Sequence, residues 1–144
     1  MTTQETAVLV VGAGPVGLIL THILGRAGVP AMIIDSAAAL PDEPRAVGLD
    51  PESLRTLQYL DLVDLLEEDL MHGLTGEYYN GDGELLFAID DDRPGPLGYT
   101  QLAGFSQPCM VRKLAAALDR YPNVQLCYEH TLQGFEQDDA GVSV

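Results

Sequence analysis

The sequence predicts an α/β fold with a mostly parallel sheet, a three-layer arrangement and an added β-hairpin. The first observation is the stretch 7–18, in which a run of apolar, mostly β-branched residues leads into a glycine-rich turn. A helical pattern follows, and residues 29–35 are predicted to form a second buried strand, which completes a β-α-β unit. The second observation is a pair of short strand-like segments on either side of Asn80-Gly81-Asp82-Gly83, a sequence typical of a hairpin turn.

The turn after the first strand carries the spacing Gly-x-Gly-x-x-Gly. Gly12 permits a tight turn, Gly14 lets a ligand's diphosphate approach the backbone, and Gly17 allows close helix–strand packing. The helix N-terminus offers free N–H groups to phosphates. Asp35 follows about 20 residues later, where a carboxylate can accept both hydroxyls of a ribose. Three glycines at this spacing are weak evidence, since the pattern also occurs by chance. The strand before them, the helix after them and the acid Asp35 together predict dinucleotide binding.

Helical spacing also predicts how the first helix packs. Its apolar residues are expected to face the sheet, and Gly28 is expected to take the left-handed conformation that ends a helix. The residues of this expected face are Val16, Ile19, Leu20, Ile23 and Ala27.

Composition excludes several classes of partner. The chain has 144 residues with 22 acidic against 7 basic side chains, and the net charge of −15 argues against nucleic acid and anionic membranes. No stretch approaches the length of a membrane span, and residues 2–6 lack the positive charge of a signal peptide. Cys109 and Cys127 are isolated, which predicts reduced thiols in a cytoplasmic protein. A homo-oligomer is compatible with the sequence.

The loop after Asp35 contains Arg45, for which two interpretations stay open. It is a surface arginine paired with Asp42 or Glu43, or a guanidinium that lies over the bound dinucleotide and offsets its phosphate charge. Asp50 is then expected to cap a helix that buries its leucines. A second short helix is predicted to continue through Leu70, with an acidic run at 67–69 on a solvated face.

The rest of the chain alternates loops, one helix and short strands. Three aspartates at 90–92 do not predict a metal, because consecutive residues point in different directions. A helix is predicted over 109–120, and Gln107 just before it either reaches a ligand or caps the helix. The predicted strands cover 124–128 and 131–136, followed by a turn over 137–141 and a strand that starts at Val142. Because the sequence stops there, we expect residues 1–144 to be the N-terminal part of a longer, here truncated, domain. The three histidines, His22, His72 and His130, are assigned structural or surface roles.

These residues together resemble the FAD-dependent aromatic hydroxylases, the single-component flavoprotein monooxygenases. The resemblance covers essentially the whole chain, and the Pro-Arg-Ala segment is its most specific part. Residues 44–49 and 61–64 are most similar to the hydroxyphenylpropionate hydroxylases. The segments that carry the resemblance are 12–18, 44–49, 54–57, Gln107-Pro108 and 121–124.

The resemblance implies a Rossmann-like FAD/NAD(P)-binding domain with a defined set of cofactor contacts. The turn made by Gly12, Ala13, Gly14, Pro15, Val16 and Gly17 is expected to hold the FAD diphosphate. Asp35, with Ser36 beside it, is expected to hold the adenosine ribose; the family more often has the longer Glu there. Arg45 is expected to lie along the FAD, and Gln107 to contact its ribityl or diphosphate region. Asp61 replaces the usual glycine at a helix end.

The resemblance also implies an activity. In such enzymes NADH or NADPH reduces the flavin, O2 forms a flavin hydroperoxide, and this hydroxylates a phenolic substrate. The family's second and third FAD motifs are missing from residues 1–144, and no residue here is assigned a catalytic role. Two alternatives stay open: an NAD-dependent dehydrogenase domain and a non-catalytic nucleotide-binding module. A comparison of FAD with NAD binding separates the first of these from the flavin interpretation.

Overall fold

The computed structural model describes residues 4–40, 42–90 and 92–144. It divides into two compact units, Met1–Pro41 with Leu114–Val144, and Asp42–Lys113. The elements in chain order are β1 (Val8–Val11), α1 (Pro15–Arg26), β2 (Ala31–Ile34), β3 (Gly48–Leu49), α2 (Pro51–Tyr59), α3 (Val63–Leu66), a 3₁₀ turn (Glu67–Asp69), β4 (Leu70–Met71), β5 (Gly76–Tyr79), β6 (Leu85–Ile89), β7 (Ala103–Phe105), α4 (Gln107–Ala117), a second 3₁₀ turn (Leu118–Arg120), β8 (Val124–Cys127), β9 (Glu136–Asp138) and β10 (Gly141–Ser143).

The first unit is built on a parallel sheet with the strand order β1-β2-β8. Val11 lies opposite Ile34, and Ile34 lies opposite Cys127, so the three strands end at the same edge. This confirms the predicted β-α-β unit and the third strand, although β2 is shorter than the predicted 29–35. Gly28 has φ +72° after the last turn of α1, as expected for a helix that ends there.

The predicted packing face of α1 is wrong. Val16, Leu20 and Ile23 are exposed, whereas the buried positions of the helix are Leu18, Thr21, His22 and Gly25. Gly25 lies against the ring of Tyr121, where an added Cβ would come within 2.6 Å of that ring. The helix therefore packs through Leu18 together with small and polar residues, and Gly25 allows the close approach of Tyr121.

The second unit contains an antiparallel sheet, β3-β7-β4, that the sequence did not predict. Its strands are two or three residues long, too short to show the period-two pattern by which strands are recognised. Leu54, Leu57 and Leu60 are fully buried, as predicted for α2. The Asp50 carboxylate caps this helix by accepting a hydrogen bond from Ser53 N at 2.7 Å, and this bond lowers the pKa of Asp50.

The hairpin between β5 and β6 is confirmed. The strands pair antiparallel with an irregularity at Tyr78/Tyr79, and the Asn80 side-chain oxygen accepts hydrogen bonds from the backbone of Asp82 and Glu84. The aspartate run at 90–92 is described only in part, because Asp91 lies outside the described residues.

Three further boundaries differ from the predictions. Leu70 belongs to β4 rather than to a helix, because the helix gives way to a 3₁₀ turn at Glu67. Within the acidic run, Asp69 is half-buried and pairs with Lys113 at 2.7 Å, so this residue is not part of a solvated face. The predicted 109–120 helix starts earlier, at Gln107, and ends in a 3₁₀ turn.

The C-terminal strand prediction is wrong over most of its length. Residues 131–135 are irregular, and the strand β9 begins only at Glu136. It pairs antiparallel with β10, so the turn is narrower than predicted. At the end of α2, Asp61 has φ +55°, a left-handed conformation that favours glycine, which agrees with the expectation that glycine is usual there. None of the described helices is long and apolar enough to cross a membrane.

Candidate dinucleotide-binding site

The glycine turn is shaped by its backbone contacts. Gly12 has φ +102° and donates its N–H to the carbonyl of Ile34 at 2.8 Å, which ties the turn to β2. A Cβ on Gly17 would lie 2.0 Å from the Gly12 carbonyl oxygen, so only glycine lets the helix start this close to the strand. A Cβ on Gly14 would meet nothing within 4 Å. The space beside Gly14 is therefore open for a ligand.

The start of α1 suits an anion. Gly14 is the N-cap and offers no side chain to the helix, Pro15 occupies the first turn, and that turn has no acidic residue. Helix geometry leaves the first N–H groups without acceptors inside the helix, and the helix dipole places positive charge there. A diphosphate that lies against Gly14 would satisfy these N–H groups.

Asp35 lies directly beside this turn. Its Oδ2 accepts a hydrogen bond from Ala13 N at 2.8 Å, and its Oδ1 accepts one from Ala37 N at 2.9 Å. The carboxylate is half-buried at the carboxyl end of β2, and Ser36 next to it is exposed. The structure therefore brings together the predicted glycine turn and the predicted ribose acid.

The segment 128–130 also lies at this edge, and the sequence reasoning did not assign it to the site. The carbonyl of Asp35 accepts a hydrogen bond from His130 N at 2.9 Å, and the carbonyl of Ala37 accepts one from Glu129 N at 3.1 Å. The signal was available, because a third parallel strand was predicted and ligands bind at the carboxyl ends of such strands.

In the second unit, Gln107 organises the loop that carries Arg45. The buried Gln107 side chain accepts hydrogen bonds through Oε1 from the backbone N–H groups of Arg45 at 2.9 Å and Ala46 at 2.8 Å. No described residue accepts a hydrogen bond from its Nε2. The amide oxygen thus holds the loop in place, and the Nε2 group is available to donate a hydrogen bond to a ligand.

The Arg45 side chain is exposed and pairs with no acid among the described residues. Asp42, one of the two partners considered for it, pairs instead with Arg112 at 2.5 Å. The surface ion pair with Asp42 is therefore wrong, and Arg45 keeps its charge available for an anion.

Two of the histidines have contacts within the fold. His22 is fully buried, contacts the Leu114 carbonyl through Nε2 at 2.9 Å, and burial lowers its pKa. His72 lies 3.3 Å from the Glu67 carboxylate at the surface. Cys109 and Cys127 are free thiols. Among the described residues no three or more histidine, cysteine or acidic side chains are grouped so as to hold a metal.

A β-α-β unit with a glycine turn that is open at Gly14 and an acid at the end of the next strand defines a dinucleotide-binding domain of the Rossmann type. A comparison with protein families narrows the class, since the FAD binding domain family matches residues 5–144. The chain belongs to the FAD-binding domain family. This excludes the alternative of an NAD-dependent dehydrogenase domain as the family of the chain.

Known relatives agree with this assignment. The chain is 40% identical over 142 residues to a 3-(3-hydroxy-phenyl)propionate/3-hydroxycinnamic acid hydroxylase of Mycobacterium sp. (strain JLS), with 97% of this chain and 24% of the relative covered. It is 38% identical over 140 residues to the enzyme of the same name from Comamonas testosteroni, with 97% and 24% covered. The chain therefore spans about a quarter of the length of the curated relatives it matches.

A solved structure shows the same fold. The crystal structure of p-nitrophenol 4-monooxygenase from Pseudomonas putida DLL-E4 superimposes with a TM-score of 0.77 at 28% identity. The match covers 99% of this chain and 39% of that chain. The chain thus shares its α/β fold with this monooxygenase.

Proposed function

We propose that this chain is the FAD-binding part of an NAD(P)H-dependent monooxygenase that hydroxylates a phenolic or other aromatic substrate with O2. The observation that carries the proposal is the hydrogen bond between Ala13 N and the Asp35 carboxylate, because it holds this acid beside a glycine turn that is open at Gly14. The family match supports FAD as the ligand, and the relatives are named as 3-(3-hydroxy-phenyl)propionate/3-hydroxycinnamic acid hydroxylases.

Each of the predicted contacts has a role in this proposal. The backbone of Gly12, Ala13, Gly14, Pro15, Val16 and Gly17 binds the diphosphate, and Asp35, beside Ser36, accepts the ribose hydroxyls. Arg45 contributes positive charge to a protein with few cations. Gln107 donates through Nε2, for which no described residue is an acceptor. When bound, the flavin supplies electron transfer from the nicotinamide and the activation of O2. The residues of this chain bind and orient it.

The proposal places the enzyme in the cytoplasm, where its two free thiols stay reduced. A homo-oligomer is compatible with it. The test uses the full product of the natural gene. We expect it to purify with FAD that is released on denaturation, and to oxidise NADH or NADPH faster when a phenolic acid is added. With ¹⁸O2 the product should gain one labelled oxygen atom. A protein that binds NAD tightly and no flavin would contradict the proposal.

A further inference from the structure

An antiparallel strand pair of the second unit extends beyond its last paired residues. β3 pairs with β7, and Gly48 lies opposite Gly104 at one end of the pair. One step further, the Val47 carbonyl accepts a hydrogen bond from Phe105 N at 3.1 Å. Two residues after Phe105 the chain enters α4, so the backbone of β7 cannot continue the ladder toward residues 45–46.

Gln107 continues this pairing with its side chain. The strand register, followed two residues past the last backbone hydrogen bond, places Gln107 opposite Arg45. Its Oε1 accepts from the N–H groups of Arg45 at 2.9 Å and Ala46 at 2.8 Å, and the residue is only 7% exposed. A buried amide oxygen that loses its donors is left unsatisfied, which makes this contact costly to break. The side chain thus lengthens the ladder by two residues of the loop.

The loop 42–47 has few other anchors among the described residues. It has no regular secondary structure, and its residues are exposed. Apart from the bonds already named, it is held by an ion pair between Asp42 and Arg112, whose side chains are 89% and 50% exposed. Ion pairs this exposed contribute little to stability and weaken as salt is added. The conformation of the loop therefore depends mainly on Gln107.

The position of this loop matters because cations are scarce in the chain. There are 7 basic against 22 acidic side chains, and Arg45 pairs with no acid among the described residues. A long charged side chain on a loose loop must be ordered when an anion binds, and this ordering lowers the affinity. An anchor that fixes the loop beforehand raises the affinity without touching the anion.

We propose that Gln107 is the positioning residue of Arg45. Its side-chain oxygen extends the β3–β7 ladder, keeps the loop in one conformation, and so determines how strongly the guanidinium contributes to FAD binding. This role belongs to Oε1 and is separate from any contact that Nε2 makes with a ligand. The part that concerns FAD rests on the proposed function, whereas the holding of the loop is tested without a ligand.

Trypsin measures the state of the loop directly. The Arg45–Ala46 bond follows an exposed basic residue outside regular secondary structure, where proteases cut. Arg93 precedes Pro94, a bond that trypsin does not cleave, and the other basic residues lie in helices or 3₁₀ turns. The experiment uses the full product of the natural gene, stripped of flavin, and mass spectrometry follows the rate of cleavage at Arg45–Ala46.

Two substitutions of Gln107 isolate the role of its oxygen. Gln107→Met keeps the length of the side chain and removes the acceptor, so we expect cleavage to become about tenfold faster. Gln107→Glu keeps an acceptor for both N–H groups, and its cleavage should stay as slow as in the unaltered protein. Gln101→Met makes the same change at an exposed glutamine of the same unit and should not alter the rate. Equal rates for Gln107→Met and the unaltered protein would overturn the proposal.

Hydrogen exchange of the unaltered protein needs no variant and decides the matter if Gln107→Met fails to fold. Relative to an unstructured peptide, the amide protons of Arg45 and Ala46 should exchange about tenfold more slowly than that of Glu43. Glu43 is an exposed residue of the same loop, and its N–H has no acceptor among the described residues. Equal protection at the three positions would contradict the role of Gln107.

A double-mutant cycle tests the coupling to Arg45. We expect Gln107→Met to weaken FAD binding by the full product about tenfold at low salt, but only about threefold in the Arg45→Ala background, where no guanidinium is left to position. The salt dependence that Arg45 contributes should also fall in Gln107→Met. A general structural defect would weaken binding equally in both backgrounds. That result would overturn the positioning role, while FAD binding stands.

Failure of the proposed function is distinguishable from failure of this inference. If the unaltered full product binds no FAD, the proposed function is overturned together with the effect of Gln107 on FAD binding. The trypsin and exchange rates still decide whether Gln107 holds the Arg45 loop, because both are measured without a ligand.

Discussion

The backbone N–H of Ala13 donates a hydrogen bond to Oδ2 of Asp35 over 2.8 Å, and the N–H of Ala37 donates to the other carboxylate oxygen at 2.9 Å. A carboxylate has about four acceptor positions, so each oxygen keeps one for a further donor. Two free acceptor positions match the two hydroxyls of a ribose. The Asp35 carboxylate, which we propose binds the ribose, is therefore already oriented without a ligand, and its orientation depends on the glycine turn.

Asp35→Ala should weaken FAD binding by about 1–3 kcal/mol, since the ribose hydroxyls and the Ala13 N–H all lose their acceptor. The measurement is a titration of the purified chain followed by flavin fluorescence. Asp119→Ala removes the same charge from an exposed position in the same unit and should leave the affinity unchanged. An equal affinity for Asp35→Ala and the unaltered chain would show that Asp35 is not the ribose ligand.

Gly14→Ala and Gly17→Ala should separate binding from folding. An added methyl at Gly14 meets no protein atom within 4 Å, so we expect the thermal midpoint to stay and FAD binding to fall, because the methyl occupies the space for the diphosphate. At Gly17 the methyl would lie 2.0 Å from a backbone oxygen, and stability should fall by about 1–3 kcal/mol or more. Thermal unfolding and FAD titration of both variants test this pair. Equal losses of stability in the two variants would contradict the proposal that Gly14 leaves space for the diphosphate while Gly17 is needed for helix–strand packing.

Arg45→Ala should weaken FAD binding by about 1–2 kcal/mol at low salt, and the difference from the unaltered chain should shrink as salt is added. The reason is that the exposed guanidinium pairs with no described acid and is available to a phosphate. Titrations at two ionic strengths give the measurement. Arg55→Ala is the matched control, because Arg55 is an exposed arginine whose guanidinium bonds Gln58 on its own helix. A loss that ignores ionic strength would count against a phosphate contact.

The strand–turn–helix core of the fold and the position of Asp35 at the end of the second strand could be predicted from the sequence, because both depend on local pattern and on distance along the chain. The hydrogen bond between Asp35 and the glycine turn was not predicted. The buried face of α1 could not be predicted either. Its aliphatic spacing favoured Val16 and Leu20, yet the buried positions are Leu18, Thr21, His22 and Gly25. Which face of the helix is buried depends on the close contact between Gly25 and Tyr121, which lies far away in the sequence.

The same limit applies to the contacts of Gln107 and Arg45. The sequence predicts that Gln107 lies just before a helix, where its side chain either contacts a ligand or caps the helix. The structure shows a third use, since Oε1 binds the backbone of the Arg45 loop, about 60 residues away. Side-chain hydrogen bonds between distant segments depend on tertiary packing, and no local pattern encodes them.

His22 should make the stability of the protein depend on pH. Burial lowers its pKa in the folded state below the unfolded value near 6.5, with the Arg120 charge acting in the same direction and the hydrogen bond to Leu114 opposing it. The folded protein therefore keeps the ring neutral, while the unfolded chain takes up a proton as the pH falls. The stability that goes with the neutral ring is present above about pH 6.5 and is lost below it.

The measurement is the free energy of unfolding by urea between about pH 8 and pH 5, for the unaltered chain and for His22→Leu. The variant is expected to be less stable at neutral pH, because the leucine cannot bond the Leu114 carbonyl. The advantage of the unaltered chain should shrink by up to about 1.4 kcal/mol per pH unit below pH 6.5, since only it gains a proton on unfolding. The carboxylates titrate in both proteins and cancel in the difference. Parallel pH profiles would show that His22 is protonated equally in the folded and unfolded chains, contrary to its burial without a partner for Nδ1 among the described residues.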